Sequence, residues 1–494
     1  MPAPLRIALA AAECAPFAKT GGLADVTAAL GRALWRRGHD VRVFLPFYRR
    51  IAESGFETEP HGESFVMEIG GRQISARLRR AALPNSEGAD GSPLLVDLVD
   101  APELFDREEL YTDDEDESVR WVGFCRAIIE ACQHSGWAPD IVHANDWHTG
   151  LLPMLLRRAL SWDRLFAGTR TLFSIHNLGY QGVFGAEAVD RMGLGELQEQ
   201  FHQDRLSAGS INLLETGLIH SHWLSTVSKT YAREIQTEEH GMGLEGALSA
   251  RDDHLVGIVN GVDYDEWCPT IDPHIPAHYG PGDLSGKRVC RDRLLDELNL
   301  APDPTGPVFG IVSRMTGQKG FDLLPDILPV FLQSEDVRLV VLGSGDAESE
   351  RYFQWLRDSL PHKVGVYIGY KDDLAHRIEA GADIFLMPSR YEPCGLNQMY
   401  SLRYGTVPLV RATGGLADTV ERWDPERREG TGFCFYEYSS DALHDTMRHA
   451  LDVWRDRDAW SILQASGMAR DFSWGVQVQA YEDLYAAILA EHLG

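Results

Sequence analysis

The strongest constraint in this 494-residue sequence is a rhythm in which short, continuously apolar runs alternate with helix-length segments. Runs of that kind, without polar alternation, fit strands buried on both faces, as in parallel sheets covered by helices. The first series starts with LRIALAA (5–11), a glycine loop, the helical ADVTAALGRALWRRG (24–38) and DVRVFLP (40–46), together a βαβ unit. It continues through DIVHA (140–144), TLFSIH (171–176), WLSTVS (223–228) and LVGIVNG (255–261), with a hairpin predicted around PNSEGADGSP (84–93). A Pro-rich stretch, CPTIDPHIPAHYGPGDLSG (268–286), then breaks the pattern and has the composition of an interdomain crossing. Beyond it PVFGIVSR (307–314), VRLVVLGSG (337–345), VGVYIGY (364–370), DIFLMPS (383–389) and TVPLVRA (406–412) repeat the rhythm. Two Rossmann-like units in tandem are predicted, and ligands of such sheets bind beyond the strand C-terminal ends. The residues just after the strands should therefore carry the chemistry.

Charge narrows the ligands. Seventy-four acidic against 46 basic residues give a net charge of −28, which excludes a general nucleic-acid or anionic-membrane binder. A phosphate ligand must then be met by a local cluster of cations and backbone N–H groups. Seven scattered cysteines without a C-x-x-C pair point to a reducing compartment. The N-terminal apolar run contains Glu13 and reads as a strand rather than a signal peptide, and no run is long enough to span a bilayer. The expectation is a cytoplasmic protein.

Several strand-end loops have ligand-binding composition. AKTGGLADV (18–26) puts Gly21 and Gly22 at a helix start, where N–H groups and the helix dipole favour an anion, and Lys19 adds a full charge. It is not the G-x-G-x-x-G fingerprint, so dinucleotide binding is weakly supported. SRMTGQKG (313–320) brings Arg314 and Lys319 into one loop, a bidentate and a point-charge phosphate ligand. In SRYEPCGLNQ (389–398) the N–H groups of Gly395, Leu396 and Asn397 open a helix, and Glu392 is placed to accept hydrogen bonds from sugar hydroxyls. Cys394 lies in the same turn without a histidine partner pattern and reads as a small packed residue rather than a nucleophile. HANDWHTG (143–150) and SIHNLGYQG (174–182) supply His143, Asp146, His148, His176 and Asn177, better read as polar lining than as metal ligands. The acidic DDEDE (113–117) reads as a solvated helix start and DYD (263–265) as a loop; no metal and no cofactor are expected. The hexapeptide TGGLAD recurs at 413–418, with both copies predicted to follow a strand, open a helix and offer backbone N–H groups.

Taken in order, KTGGLADV, HNLGYQG, NGVD (260–263), SRMTGQKG, EPCGLNQ and TGGLADTV make the chain resemble the bacterial glycogen synthase and plant starch synthase family over nearly its whole length. The resemblance implies an α/β GT-B architecture, two Rossmann-like domains whose parallel sheets face across a deep cleft. It implies domains at 1–258 and 259–473, with a C-terminal helix, 474–494, returning to the first. It also implies transfer of glucose from ADP-glucose to the non-reducing end of an α-1,4-glucan such as glycogen, with retention. On that basis Lys19, Arg314, Lys319, Glu392 and His176 would be catalytic. Gly21, Gly22, Asp25, Asp146, Asn177, Asn260, Tyr370, Cys394, Gly395, Leu396, Asn397 and Thr413 would contact substrate, with Tyr370 flanking the base. Two positions depart from the pattern: Tyr400 stands where many related transferases carry the second Glu of E-x7-E, and Asn397 where several relatives have Thr. UDP-glucose as donor, a phosphorylase-like enzyme using pyridoxal phosphate, and a non-catalytic nucleotide-sugar or glucan binder are the competing readings.

Overall fold

A computed structural model describes residues 4–302 and 304–491. The chain divides into two compact units. The first runs through Val227, takes up Ala232–Gly261 and ends with the segment from Trp474 on; the second comprises Ser228–Tyr231 and Val262–Ser473.

The first unit is built on β1 (Arg6–Ala10), β2 (Asp40–Pro46), β3 (Glu59–Ile69), β4 (Arg72–Ala82), β5 (Leu95–Asp100), β6 (Ile141–Asn145), β7 (Arg170–Ile175), β8 (Val183–Gly185), β9 (Ser210–Asn212), β10 (Trp223–Thr226) and β11 (Leu255–Gly257). Nine of these form one sheet in the order β11-β10-β7-β6-β1-β2-β5-β4-β3, and β8 and β9 pair separately. All neighbours from β11 to β5 are parallel, whereas β5-β4 and β4-β3 are antiparallel. The burial patterns match those roles. Ile7–Ala10 are fully buried, as a central parallel strand requires, while β4 alternates exposed and buried residues because only one face is covered. The predicted hairpin is the β4–β5 connection; β3, polar along much of its length, had no apolar signal to betray it.

The helix Gly22–Arg36 follows β1 and buries Leu23, Val26, Leu30 and Leu34, spaced three or four apart on one face. The helix Trp474–Ala490 also belongs to this unit. Tyr485 Oη lies 2.9 Å from His143 Nδ1, Glu482 Oε1 is 3.0 Å from His39 Nε2, and Arg37 donates to the Gly475 carbonyl.

The second unit has β12 (Val308–Val312), β13 (Arg338–Gly343), β14 (Val364–Ile368), β15 (Ile384–Met387), β16 (Val407–Arg411) and β17 (Phe433–Phe435), all parallel, in the order β14-β13-β12-β15-β16-β17. Renumbered from its first strand this is 3-2-1-4-5-6, the doubly wound order, with the switch point between β12 and β15. Alternate residues feed two cores. Phe309, Leu339, Val341, Ile384 and Leu386 enter one, while Val308, Val340, Leu342 and Phe385 enter the other. Both faces are therefore covered, which explains why these strands read as unbroken apolar runs. In the first unit the strand order reverses between β1 and β6. Among the described residues, no helix is long and apolar enough to cross a membrane.

Candidate functional site

In each unit most of the predicted site residues follow strands at or next to the switch point, while Asn260 and Tyr370 follow the edge strands β11 and β14. In the first, Lys19 and the glycine pair follow β1, Asp146 follows β6, and His176 and Asn177 follow β7. Lys19 Nζ donates to Asp25 Oδ1 at 2.8 Å, a partly exposed pair that breaks at little cost, so Asp25 parks the cation. The sequence offered the helix-start N–H groups to an anion, but Glu13 already engages two in this stretch. Its buried carboxylate accepts from the N–H groups of Thr20 (2.6 Å) and Gly21 (3.1 Å), from Thr20 Oγ1 and from Tyr111 Oη. An anionic ligand here meets that carboxylate as well as the helix dipole. Sequence reasoning did not assign Glu13 to the site; an acidic residue closing a buried parallel strand was the available signal.

Asp146 has φ 56°, a left-handed conformation that costs a non-glycine residue energy and marks functional turns. Burial pushes its carboxyl up to about 7, against the amide bonds from His176 and Asn177, and the nearby Glu13 charge adds to the rise. The His176 N–H donates to Asp146 Oδ1 at 2.7 Å. Asn145 donates its amide to the carbonyls of Ala10 and His143, so its Oδ1 accepts the His176 Nε2–H at 2.8 Å. Burial lowers His176 to about 4, and the neutral ring then carries its lone pair on Nδ1. Asn177 Oδ1 accepts from Gly179 N–H, and Asn260 is buried with an unpaired Oδ1.

His143 and His148 do not line a site. His143 sits mid-strand in β6, as predicted, but it is fully buried between Tyr485 and Ser174, and burial lowers it to about 3. His148 is buried against Trp147 and Tyr111. The acidic helix start is not fully solvated either: Glu117 is buried and bonded to Arg120 and Trp121.

In the second unit Lys319 Nζ donates to Glu392 Oε2 at 2.7 Å, and Ser389 Oγ donates to the same oxygen at 3.0 Å. The predicted phosphate cation and the predicted sugar carboxylate thus form one pair, side chains 17% and 6% exposed, seventy-three residues apart in sequence. The two loops are also joined by the Arg390 N–H bond to the Gln318 carbonyl. Gly320 makes the approach possible: its φ is 71°, and a Cβ there would lie 1.9 Å from the Pro388 carbonyl oxygen. Arg314, in the same loop as Lys319, is exposed. The helix Asn397–Arg403 begins at Leu396 without a side-chain cap, after Gly395 at φ 72°, and Asn397 Nδ2 donates to the Val312 carbonyl of β12. Tyr370, beyond β14, is three-quarters exposed and donates to Asp372. Tyr400, in place of a second glutamate, stacks on Trp267 at 4.0 Å with the rings parallel within 1°.

The second TGGLAD departs from expectation. Gly415 N–H donates to the carbonyls of Glu392 and Pro393, and a Cβ on Gly414 would lie 1.9 Å from the Glu392 oxygen, one on Gly415 2.1 Å from the Cys394 oxygen. Its glycines let this loop seat against the Glu392–Cys394 backbone, so the Gly415 N–H braces that turn instead of facing a ligand. Thr413 and Cys394 are buried in the same contact.

Two doubly wound units with ligand-type loops at both switch points fit the GT-B fold. A "Starch synthase catalytic domain" profile matches residues 6–250 and a "Glycosyl transferases group 1" profile matches 296–462. The chain is 43% identical over 498 residues to glycogen synthase 1 of Geobacter sulfurreducens, covering 99% of this chain and 97% of that protein. It is 43% identical over 486 residues to the glycogen synthase of Koribacter versatilis, covering 97% and 98%. The catalytic domain of starch synthase IV from Arabidopsis thaliana, bound to ADP and acarbose, superposes with a TM-score of 0.89 at 31% identity, covering 99% of this chain and all of that one. The chain belongs to the glycogen synthase and starch synthase family of retaining glucosyltransferases.

Proposed function

We propose that the protein elongates an α-1,4-glucan with glucose from ADP-glucose, retaining the anomeric configuration. The observation that carries this reading is the Lys319–Glu392 pair at the β12/β15 switch point, with Arg314 in the same loop as Lys319. It supplies positive charge for a diphosphate leaving group and a fixed acceptor for sugar hydroxyls within one contact. Tyr370, exposed after β14, offers an aromatic face to the base. His176, neutral with its Nδ1 lone pair available, accepts a hydrogen bond from a sugar hydroxyl without bringing charge to the sugar.

The sequence offers no carboxylate pair for a double displacement. The reading is front-face transfer, in which the departing phosphate oxygen takes the acceptor's proton while Arg314 and Lys319 stabilise the charge growing on the diphosphate. The ADP bound to the Arabidopsis relative supports adenine as the base. The test is transfer of labelled glucose to glycogen from ADP-glucose and UDP-glucose in turn. Faster transfer from ADP-glucose is expected; preference for UDP-glucose overturns the donor assignment, and no transfer from either overturns the activity.

A further inference from the structure

The segment 268–286 and the helix Asp372–Gly381 meet in a cluster that the reaction above does not use. His376 is fully buried, and its ring stacks on Trp267 at 3.8 Å with an interplanar angle of 10°. Its Nδ1 lies 2.9 Å from Asp272 Oδ2, so the carboxylate fixes the proton on Nδ1 and leaves the lone pair of the neutral ring on Nε2. That Nε2 is buried and has no hydrogen-bond partner. The nearest carboxylate oxygen, Asp372 Oδ2, is 4.0 Å away, beyond hydrogen-bond range. The His274 ring stands beside it, centroids 4.7 Å apart. One ligand atom from each of His274, Asp372 and His376 lies within 4.8 Å of the others.

We propose that His274, Asp372 and His376 form a zinc-class divalent metal site that clasps the 268–286 segment to the helix Asp372–Gly381. Two imidazoles and one carboxylate, with a fourth position open to water, are a donor set that zinc accepts in tetrahedral geometry. Asp372 and His376 are four residues apart on one helix and so project from the same face. Ligands on a tetrahedral zinc stand about 3.4 Å apart for bonds near 2.05 Å. The contraction from 4.8 Å falls to the exposed His274 and the half-exposed carboxylate of Asp372, which also give the ion its way in.

The surrounding shell is the one metal-binding histidines use, with the far ring nitrogen donated to a carboxylate and the ligating carboxylate itself hydrogen-bonded. Asp272 serves the first purpose; it also accepts the His274 N–H on Oδ1 at 2.8 Å and the Tyr404 hydroxyl on Oδ2, so one buried carboxylate positions both histidines. Tyr370 Oη serves the second, donating to Asp372 Oδ1 and leaving Oδ2 for the ion.

The full-length protein, stripped with a chelator, is titrated with Zn²⁺ against a chromophoric competitor, and separately with Co²⁺ while recording the visible absorption of the ion. One equivalent is expected to bind, to raise Tm, and with Co²⁺ to give the intense bands of a low-coordinate site. His274→Ala and Asp372→Asn lie at the surface and leave the core intact; each should weaken binding at least tenfold and abolish the Tm shift. No stoichiometric uptake by the unaltered chain overturns the proposal. Uptake unchanged in both variants overturns it as well, because the ion then sits elsewhere.

Discussion

Replacing Lys319 by alanine tests whether one ammonium serves both the fold and the reaction. At 2.7 Å from Glu392 its gross attraction is about 6 kcal/mol at an effective dielectric constant near 20, most of which offsets the desolvation of two nearly buried charges. Leaving Glu392 behind without its cation is expected to cost about 3–5 kcal/mol of stability. The double variant Lys319→Ala with Glu392→Gln removes the orphaned charge and should recover most of that loss, with Ser389 still donating to the remaining carbonyl oxygen. Activity should behave differently. If the ammonium stabilises the leaving diphosphate, turnover falls about 10²–10³-fold, or about 2.7–4 kcal/mol, in the single variant and stays down in the double. Urea denaturation gives the first quantity and transfer of labelled glucose to glycogen under saturating donor gives the second. Turnover in Lys319→Ala within fivefold of the unaltered enzyme refutes the electrostatic role; recovery of turnover in the double variant refutes it too, because the lysine would then act only by neutralising Glu392.

Asp146 should make stability depend on pH. Its carboxyl, raised to about 7, keeps its proton in the fold after the unfolded chain releases it near pH 4, so unfolding free energy falls as pH rises from about 4 to 7, by up to about 1.4 kcal/mol per unit. Asp146→Asn should flatten that slope in denaturation series; an unchanged slope refutes the assignment. Gly320→Ala, which drives a Cβ into the Pro388 carbonyl at positive φ, should cost at least about 1–3 kcal/mol, whereas Gly317→Ala, with open space around it, should stay within about 0.5 kcal/mol. Equal urea midpoints for the two would contradict the geometry. Glu13→Ala removes the acceptor for the Thr20 and Gly21 amides and should speed their hydrogen exchange while leaving Ile7–Ala10 protected; unchanged exchange at both amides would show that the loop holds itself.

Most of the parallel strands were legible to within a few residues because burial on both faces leaves continuous apolar runs, as in VFGIV and RLVVLG. β3 was not, since EPHGESFVMEI is half exposed, nor was β17, only three residues long. For the site, loop position and residue type brought Lys319 and Glu392 to the same switch point, yet their direct pairing across seventy-three residues lies outside any local pattern. His143 shows the limit of local reading: it lay inside the predicted strand, and what makes it core is Tyr485 of the distant helix Trp474–Ala490 packed over its face. The two copies of TGGLAD differ because neighbours, not spelling, decide what a glycine is for. Gly21 has open space where a Cβ would go, whereas Gly415 has the Cys394 carbonyl.

The helix Trp474–Ala490, which covers His143 in the first unit, has a consequence for how the chain is made. A ribosome delivers the strands of the first unit, then all of Val262–Ser473, and only afterwards the helix that completes what came first. At about 5–20 residues per second that interval is roughly 10–40 s. During it the nascent first unit carries an uncovered apolar face while the second has everything it needs to close. Order of completion therefore runs against order of synthesis, and substitutions at Tyr481 or Tyr485 should lower the yield of folded chain in cells more than they lower the stability of the finished protein.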